Sequence, residues 1–236
     1  MSMTQSVSIP EMVNQSRAII SSPSVATFER YERHGTLTNA LIYVGIAALI
    51  SGVLGLVNGF GGLISGVIGG VAGFVIFSGL VFWIGKRFFN GTGNWDEVAY
   101  TFSLFWAPLM VIGGVLTLLS VVPILGFLAG LASIAMLFVQ AYFGFLAVQS
   151  SMNITDQGRA IGTLALAFVG TIVFYALIGV LLAPLYLLFG EGGAPEPEPP
   201  GPRRSRTAWT TKAANRLGLV SWWFVAFRAV RGPGGS

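Results

Sequence analysis

Charged residues are almost absent from a long central stretch of the chain, and this limits what the chain can fold into. Between Leu37 and Gln149, Asp, Glu, Lys and Arg occur only in the segment from Lys86 to Glu97, which we call the joint. A helix needs about 20 consecutive apolar residues to cross a hydrocarbon core about 30 Å thick. The apolar stretches on either side of the joint are each long enough for two crossings. The sequence therefore predicts a membrane protein whose chain surfaces at the joint.

Composition excludes several classes of site. The chain is 54% hydrophobic and only 9% charged, against about 25% charged residues in an average soluble domain. It has no cysteine and one histidine, His34, so thiolate chemistry and histidine metal clusters are excluded, and we expect neither a metal nor a cofactor. Seven of the thirteen Lys and Arg residues lie after residue 202. The formal charge of +4 therefore belongs to the tail and does not indicate nucleic-acid binding.

The predicted fold is an all-α polytopic membrane protein with five transmembrane helices. Pro108 is expected to kink the third span, Pro123 to begin the fourth, and Pro184 to bend the end of the fifth. The predicted spans are residues 37–57, 63–84, 99–122, 124–148 and 160–189.

The joint contains residues typical of helix ends. Lys86 and Arg87 stand where the second span ends, and Asp96 and Glu97 stand where the third helix begins. Cations favour the negative end of a helix dipole and carboxylates favour its positive end. The pattern thus predicts two helices joined by a short turn.

Small residues recur at four-residue spacing in the first two spans. Such columns let helix backbones approach closely in lipid, where van der Waals packing drives association. We therefore expect the first two spans to pack through these faces, although glycines merely tolerated in membrane helices would give the same pattern. The columns are Ser51, Gly55 and Gly59 in the first span, and Gly62, Gly66 and Gly70 beside Ser65, Gly69 and Gly73 in the second.

Amphipathic segments flank the predicted membrane domain. In the leader, residues 1–36, Met12, Ser16 and Ile19 recur at helical spacing, which favours an interfacial helix on the membrane; a solvated polar leader is the alternative. Residues 190–202 form a Pro/Glu/Gly linker. Residues 203–236 are basic and rich in Trp, which indicates either a second interfacial helix or a translation-frame artefact.

The distribution of cations predicts orientation. The leader, the joint and the loop at 149–159 hold six Lys and Arg residues, whereas the two intervening turns hold none. By the positive-inside rule the N-terminus is cytoplasmic in the cell membrane, and five spans place the C-terminus outside. We expect a cytoplasmic docking face formed by Lys86, Arg87, Trp95, Asp96, Glu97, Asp156 and Arg159.

The spans lack catalytic groups. None of the five predicted spans contains Asp, Glu, Lys, Arg or His, which are the residues that proton relays and coupled carriers employ. Asp96 and Glu97 are adjacent on a helix and point about 100° apart, so they do not form an acid/base pair. The polar residues inside or beside the spans are expected to serve as interhelical hydrogen-bond partners: Asn58, Tyr100, Gln140 and Tyr142. We therefore predict that the protein is not an enzyme.

The order of short motifs resembles the prokaryotic branch of the Yip1 family over roughly residues 18–189. The resemblance implies five membrane helices and, in eukaryotic relatives, a role in membrane trafficking through binding of small GTPases. The acidic Tyr-Gly-Pro type motif of those relatives is not visible in this leader. The motifs are Ser22-Pro23 followed by Phe28, Asn90-Gly91-Thr92-Gly93 leading into Trp95-Asp96-Glu97-Val98, Trp106-Ala107-Pro108, and Gln157-Gly158-Arg159-Ala160.

Taken together, the sequence favours an interaction or structural component of a membrane assembly. Its partners would be the lipid bilayer and another membrane protein or a second copy of itself. Two alternatives remain: a passive channel or lipid-handling protein, and a trafficking adaptor like the eukaryotic relatives.

Overall fold

The computed structural model describes residues 7–189, with side chains up to residue 181, and this part of the chain consists of helices joined by short loops and contains no strand. The predicted linker, the tail and the side chain of Pro184 lie outside what is described. The α-helices are α1 (Ile9–Ser21), α2 (Val25–Tyr31), α3 (Leu37–Leu54), α4 (Phe60–Ile64), α5 (Gly70–Phe89), α6 (Trp95–Leu119), α7 (Pro123–Ser151) and α8 (Gln157–Phe189).

Five helical runs are long and apolar enough to cross a membrane, so the all-α polytopic fold is confirmed. A 3₁₀ turn, Gly55–Asn58, extends α3, and a π-helical turn, Ser65–Gly69, joins α4 to α5 into one run. The leader adds the two short helices α1 and α2. The runs are Leu37–Asn58, Phe60–Phe89, Trp95–Leu119, Pro123–Ser151 and Gln157–Leu181.

Polar caps fix where the spans begin. Thr36 and Asn39 form a capping box at the start of α3, and Asn94 and Glu97 form another at the start of α6. Such boxes satisfy backbone N–H groups that have no partner within the helix. Because Asn94 caps it, α6 begins at Trp95, four residues before the predicted start.

The first two spans pack through glycine. A Cβ on Gly66 would lie 2.7 Å from Gly52 Cα, and one on Gly55 would lie 2.8 Å from the Gly62 carbonyl oxygen. A Cβ on Gly70 would lie 3.0 Å from Met110 Sδ of α6 and 3.5 Å from the Ala48 Cβ, so Gly70 faces both α6 and α3. The two backbones are therefore in direct contact at Gly52 with Gly66 and at Gly55 with Gly62.

The other small residues are placed differently from the predicted columns. Ser51 faces Gly114 of α6 at 3.0 Å, and Gly73 faces the Tyr175 hydroxyl of α8 at 3.2 Å. Gly69 has no atom within 4 Å of its would-be Cβ, and Ser65 Oγ donates to the Gly62 carbonyl. Gly59 lies beyond the helix, with a φ of 83° that favours glycine. The surface of the first span that meets the second span thus includes Ala48, Gly52 and Gly55.

Helix α6 lies at the centre of the bundle. The helices α1, α3, α5 and α7 all pack against it, and α8 packs against α5 and α7. Half of its most apolar stretch is buried, against 6% for the fifth span, so most of the described part of α8 lies on the outside of the bundle. Pro108 lies inside α6, and Pro123 occupies the first turn of α7 as expected.

Substitution of Gly66 tests the close packing of the first two spans. We expect Gly66→Ala to lower the free energy of unfolding by about 1–3 kcal/mol, because the new methyl group meets backbone atoms of Gly52. Gly69→Ala is the matched control, since its Cβ meets open space in the same glycine-rich run. The measurement is thermal unfolding of both variants in one detergent. Equal shifts for the two variants would contradict the packing described.

Candidate functional site

Three segments that are distant in sequence meet at one end of the bundle. The Thr92 N–H of the joint donates to the Met152 carbonyl oxygen at 3.0 Å, and Gly93 lies against the Ser151 carbonyl. The Leu37 N–H, at the end of the leader, donates to the Asp96 carboxylate at 2.8 Å. We call this assembly of the leader, the joint and the loop after α7 the polar cap.

The leader enters the polar cap through a buried aromatic ring. Phe28 of α2 is fully buried, and its ring centroid lies 6.3 Å from that of Phe105 and 6.4 Å from that of Phe143. Phe105 and Phe143 belong to α6 and α7 and are themselves stacked at 5.8 Å. Phe28 therefore joins the leader to the core of the bundle.

Helix α1 buries the face that the sequence pattern identified. Met12, Ser16 and Ile19 are all buried, but they pack against protein, since α1 contacts α6. Protein therefore covers this face in the structure, whereas Val13 and Ile20 of α1 remain exposed. The periodicity indicated the buried face correctly and could not show what covers it, because lipid and protein interiors are both apolar.

Polar side chains of the leader bind two tyrosines of the spans. The Tyr100 hydroxyl donates to Gln15 Oε1 at 2.7 Å, and the Ser16 and Tyr43 hydroxyls lie 3.0 Å apart. Gln15 is in turn held by Glu11, to whose carboxylate it donates at 3.3 Å. Buried polar groups need such partners, because an unpaired one costs about 1–3 kcal/mol. These bonds fix the position of α1 on the bundle.

Glu32 is a buried carboxylate in the polar cap. It is 4% exposed and accepts a hydrogen bond from Ser150 Oγ at 2.7 Å. Burial raises the pKa of Glu32 above its ordinary value, and the charge of Glu97 raises it further, whereas the Ser150 hydrogen bond and Arg33 lower it. Arg33 lies 3.5 Å from Glu32 but is largely exposed, so solvent screens most of that attraction.

The residues predicted to form a docking face all lie at this end of the bundle. Lys86 Nζ lies 5.0 Å from the centroid of the Phe82 ring, on which Trp95 is stacked at 5.9 Å. Asp156 caps α8 by accepting from the Arg159 N–H at 2.8 Å. Glu97 is partly buried and the other six are exposed: Lys86, Arg87, Trp95, Asp96, Asp156 and Arg159.

The described part of the polar cap contains one close pair of a hydroxyl and a carboxylate and no metal-binding cluster. Within residues 7–189, no group of three His, Asp or Glu side chains could hold a metal ion. Ser150 and Glu32 pair a hydroxyl with a carboxylate, but both are buried, so a substrate cannot reach them. A nucleophile and its base must both reach a reacting atom. The pair is therefore a structural contact that the sequence analysis did not find.

Substitution of Glu32 tests its burial through pH dependence. Because its pKa is raised in the folded protein, the folded state binds the proton more tightly than the unfolded state. This contribution to stability is full below the ordinary value of 4.5 and is lost as the pH rises through the raised value. The melting temperature of the unaltered protein should therefore fall as the pH rises from 4.5 through the raised pKa. We expect Glu32→Gln to reduce this fall, as measured by thermal unfolding across a pH series.

Glu29→Gln provides the control for this series. Glu29 lies on α2, three residues before Glu32, and is exposed. Its charge is the weakest of the influences on the Glu32 pKa, so the variant should change the slope much less than Glu32→Gln does. A slope that Glu32→Gln leaves unchanged would show that the Glu32 carboxylate is not buried.

Comparison with known proteins identifies the family. A family model for the Yip1 domain matches residues 17–178, which covers the second half of α1, α2 and nearly all of the five spans. Comparisons with curated proteins and with solved structures return no match. With five membrane-spanning helices and this match over most of its length, the chain belongs to the Yip1 domain family.

Proposed function

We propose that this Yip1 family protein is a non-catalytic component of a membrane assembly and that its polar cap is the surface on which a partner protein docks. The observation that carries the proposal is the construction of the cap. The leader, joint and loop are tied together by Phe28, by the Tyr100–Gln15 bond and by the Thr92–Met152 bond. A surface held in one geometry in this way can bind a partner without first being ordered.

The packing of glycine supports this proposal over a passive channel. Gly52, Gly55 and Gly66 are occupied by contacts between the first two spans. Glycines pressed against a neighbouring backbone do not line a path for a solute. The small residues of these spans thus serve helix association, as is usual in membranes.

We further propose that the protein lies in the cytoplasmic membrane and that its polar cap faces the cytoplasm. Supporting it is the concentration of cations at this end: Arg17, Arg30, Arg33, Lys86, Arg87 and Arg159. The turns at the other end, residues 55–59 and 120–122, carry no charge. Lys and Arg are retained preferentially on the cytoplasmic side.

Single cysteines test this orientation, because the chain has none of its own. We expect Thr92→Cys and Asn153→Cys to be labelled by a membrane-impermeant maleimide only after the cells are opened. Asn58→Cys, in the exposed turn at the other end, should be labelled on intact cells. Labelling of Thr92→Cys and Asn153→Cys from opposite sides would contradict the fold, and reversed labelling of all three would contradict the orientation alone.

Photo-crosslinking in cells tests the docking surface. We expect benzoylphenylalanine at Thr92, which is exposed on the polar cap, to give a discrete adduct with one protein or with a second copy. The same residue at Phe127, which is 67% exposed on α7 near the other end, is the control and should react with lipid. Adducts with protein only from position 127, or from neither position, would refute docking at the cap.

A further inference from the structure

Acidic and basic side chains are used differently in the polar cap. Four of its carboxylates accept hydrogen bonds from the chain itself, which leaves them little freedom to bind anything else. The pairs are Glu32 with Ser150 Oγ, Asp96 with the Leu37 N–H, Glu97 with the Asn94 N–H, and Asp156 with the Arg159 N–H.

Among the described residues, three cations of the cap have no acidic partner. Lys86 and Arg87 end α5, Arg159 lies in the first turn of α8, and all three are exposed. Within the described side chains, none of them lies within 4.0 Å of a carboxylate oxygen. The two helix ends are neighbours, because a Cβ on Gly162 would lie 2.9 Å from the Phe89 ring. The result is a positive rim where α5 and α8 leave the membrane.

Two exposed aromatic rings adjoin this rim on the side of α5. Trp83 is 57% exposed and Phe88 is 59% exposed, and their centroids lie 5.7 Å apart in an edge-to-face arrangement. Trp side chains prefer the boundary between headgroups and acyl chains. Trp83 precedes Lys86 by one helical turn, so an aromatic surface and a cationic surface meet at the level of the headgroups.

We propose that Lys86, Arg87 and Arg159 bind the headgroup of an anionic phospholipid whose glycerol and upper acyl chain lie against Trp83 and Phe88. The cations would bind the lipid phosphate, and the rings would cover apolar surface that a soluble anion lacks. The α5 dipole opposes an anion at this place, whereas the α8 N-terminus favours one. The rim carries three cations and one carboxylate, Asp156, so its net positive charge favours an anion. This binding does not depend on a protein partner.

Native mass spectrometry of the full chain in mild detergent tests this site. The probes are phosphatidylglycerol and phosphatidylcholine with identical acyl chains, and the measured quantity is the ratio of the two adducts. We expect a preference for phosphatidylglycerol that K86Q/R87Q lowers by about fivefold for each cation removed. Inorganic phosphate in excess should leave the adducts unchanged, because the aromatic contact requires a lipid.

Two further variants keep this test decisive. R17Q/R30Q removes two exposed cations of the leader that have no acidic partner among the described residues, and it should keep the preference. K86R/R87K keeps both positive charges and should keep the preference for phosphatidylglycerol. The proposal is overturned if both double Gln variants lose the preference equally, if K86Q/R87Q keeps it, or if phosphate displaces the lipid.

Discussion

The exclusion of charge from hydrocarbon determines the layout of this protein. From Leu37 to Leu181 the only Asp, Glu, Lys and Arg side chains lie in the joint or in the segment from Asp156 to Arg159, and both are at one end of the bundle. The backbone between them must satisfy its own hydrogen bonds, which helices do. Five helices with a polar end and an apolar end follow from this constraint, and the polar end is where a surface for binding can be built.

The leader completes that polar end. Without it, the Tyr43 and Tyr100 hydroxyls, the Ser150 hydroxyl and the Phe105–Phe143 pair would lose the partners they have in the folded chain. The leader supplies Ser16, Gln15, Glu32 and Phe28 to these groups in turn. Helices α1 and α2 therefore belong to the same folding unit as the spans. The Yip1 domain match begins at residue 17, within α1 and ahead of the first span, so it includes Phe28 and Glu32.

The parts of the fold that depend on local pattern could be predicted, and those that depend on long-range contact could not. Apolar length and helix-end charges predicted the spans, and the spacing of Gly62, Gly66 and Gly70 anticipated a contact with α3. Of the column predicted in the first span, Gly55 meets Gly62, whereas Ser51 faces Gly114 of α6 and Gly59 lies in the turn. Glu32 and Ser150 are 118 residues apart, so no local pattern joins them. The one local indication that Glu32 is buried is its position a single helical turn after the buried Phe28.

The rest of the structure depends on a leader that packs inside the bundle and not on the lipid surface. Photo-crosslinking from position 28 tests this packing most directly, because benzoylphenylalanine is close in shape to the Phe28 side chain that it replaces. Reaction of the full chain in lipid vesicles, followed by peptide mapping, should give intramolecular adducts with the parts of α6 and α7 around Phe105 and Phe143. Adducts confined to lipid would contradict the account and would return the leader to the membrane surface.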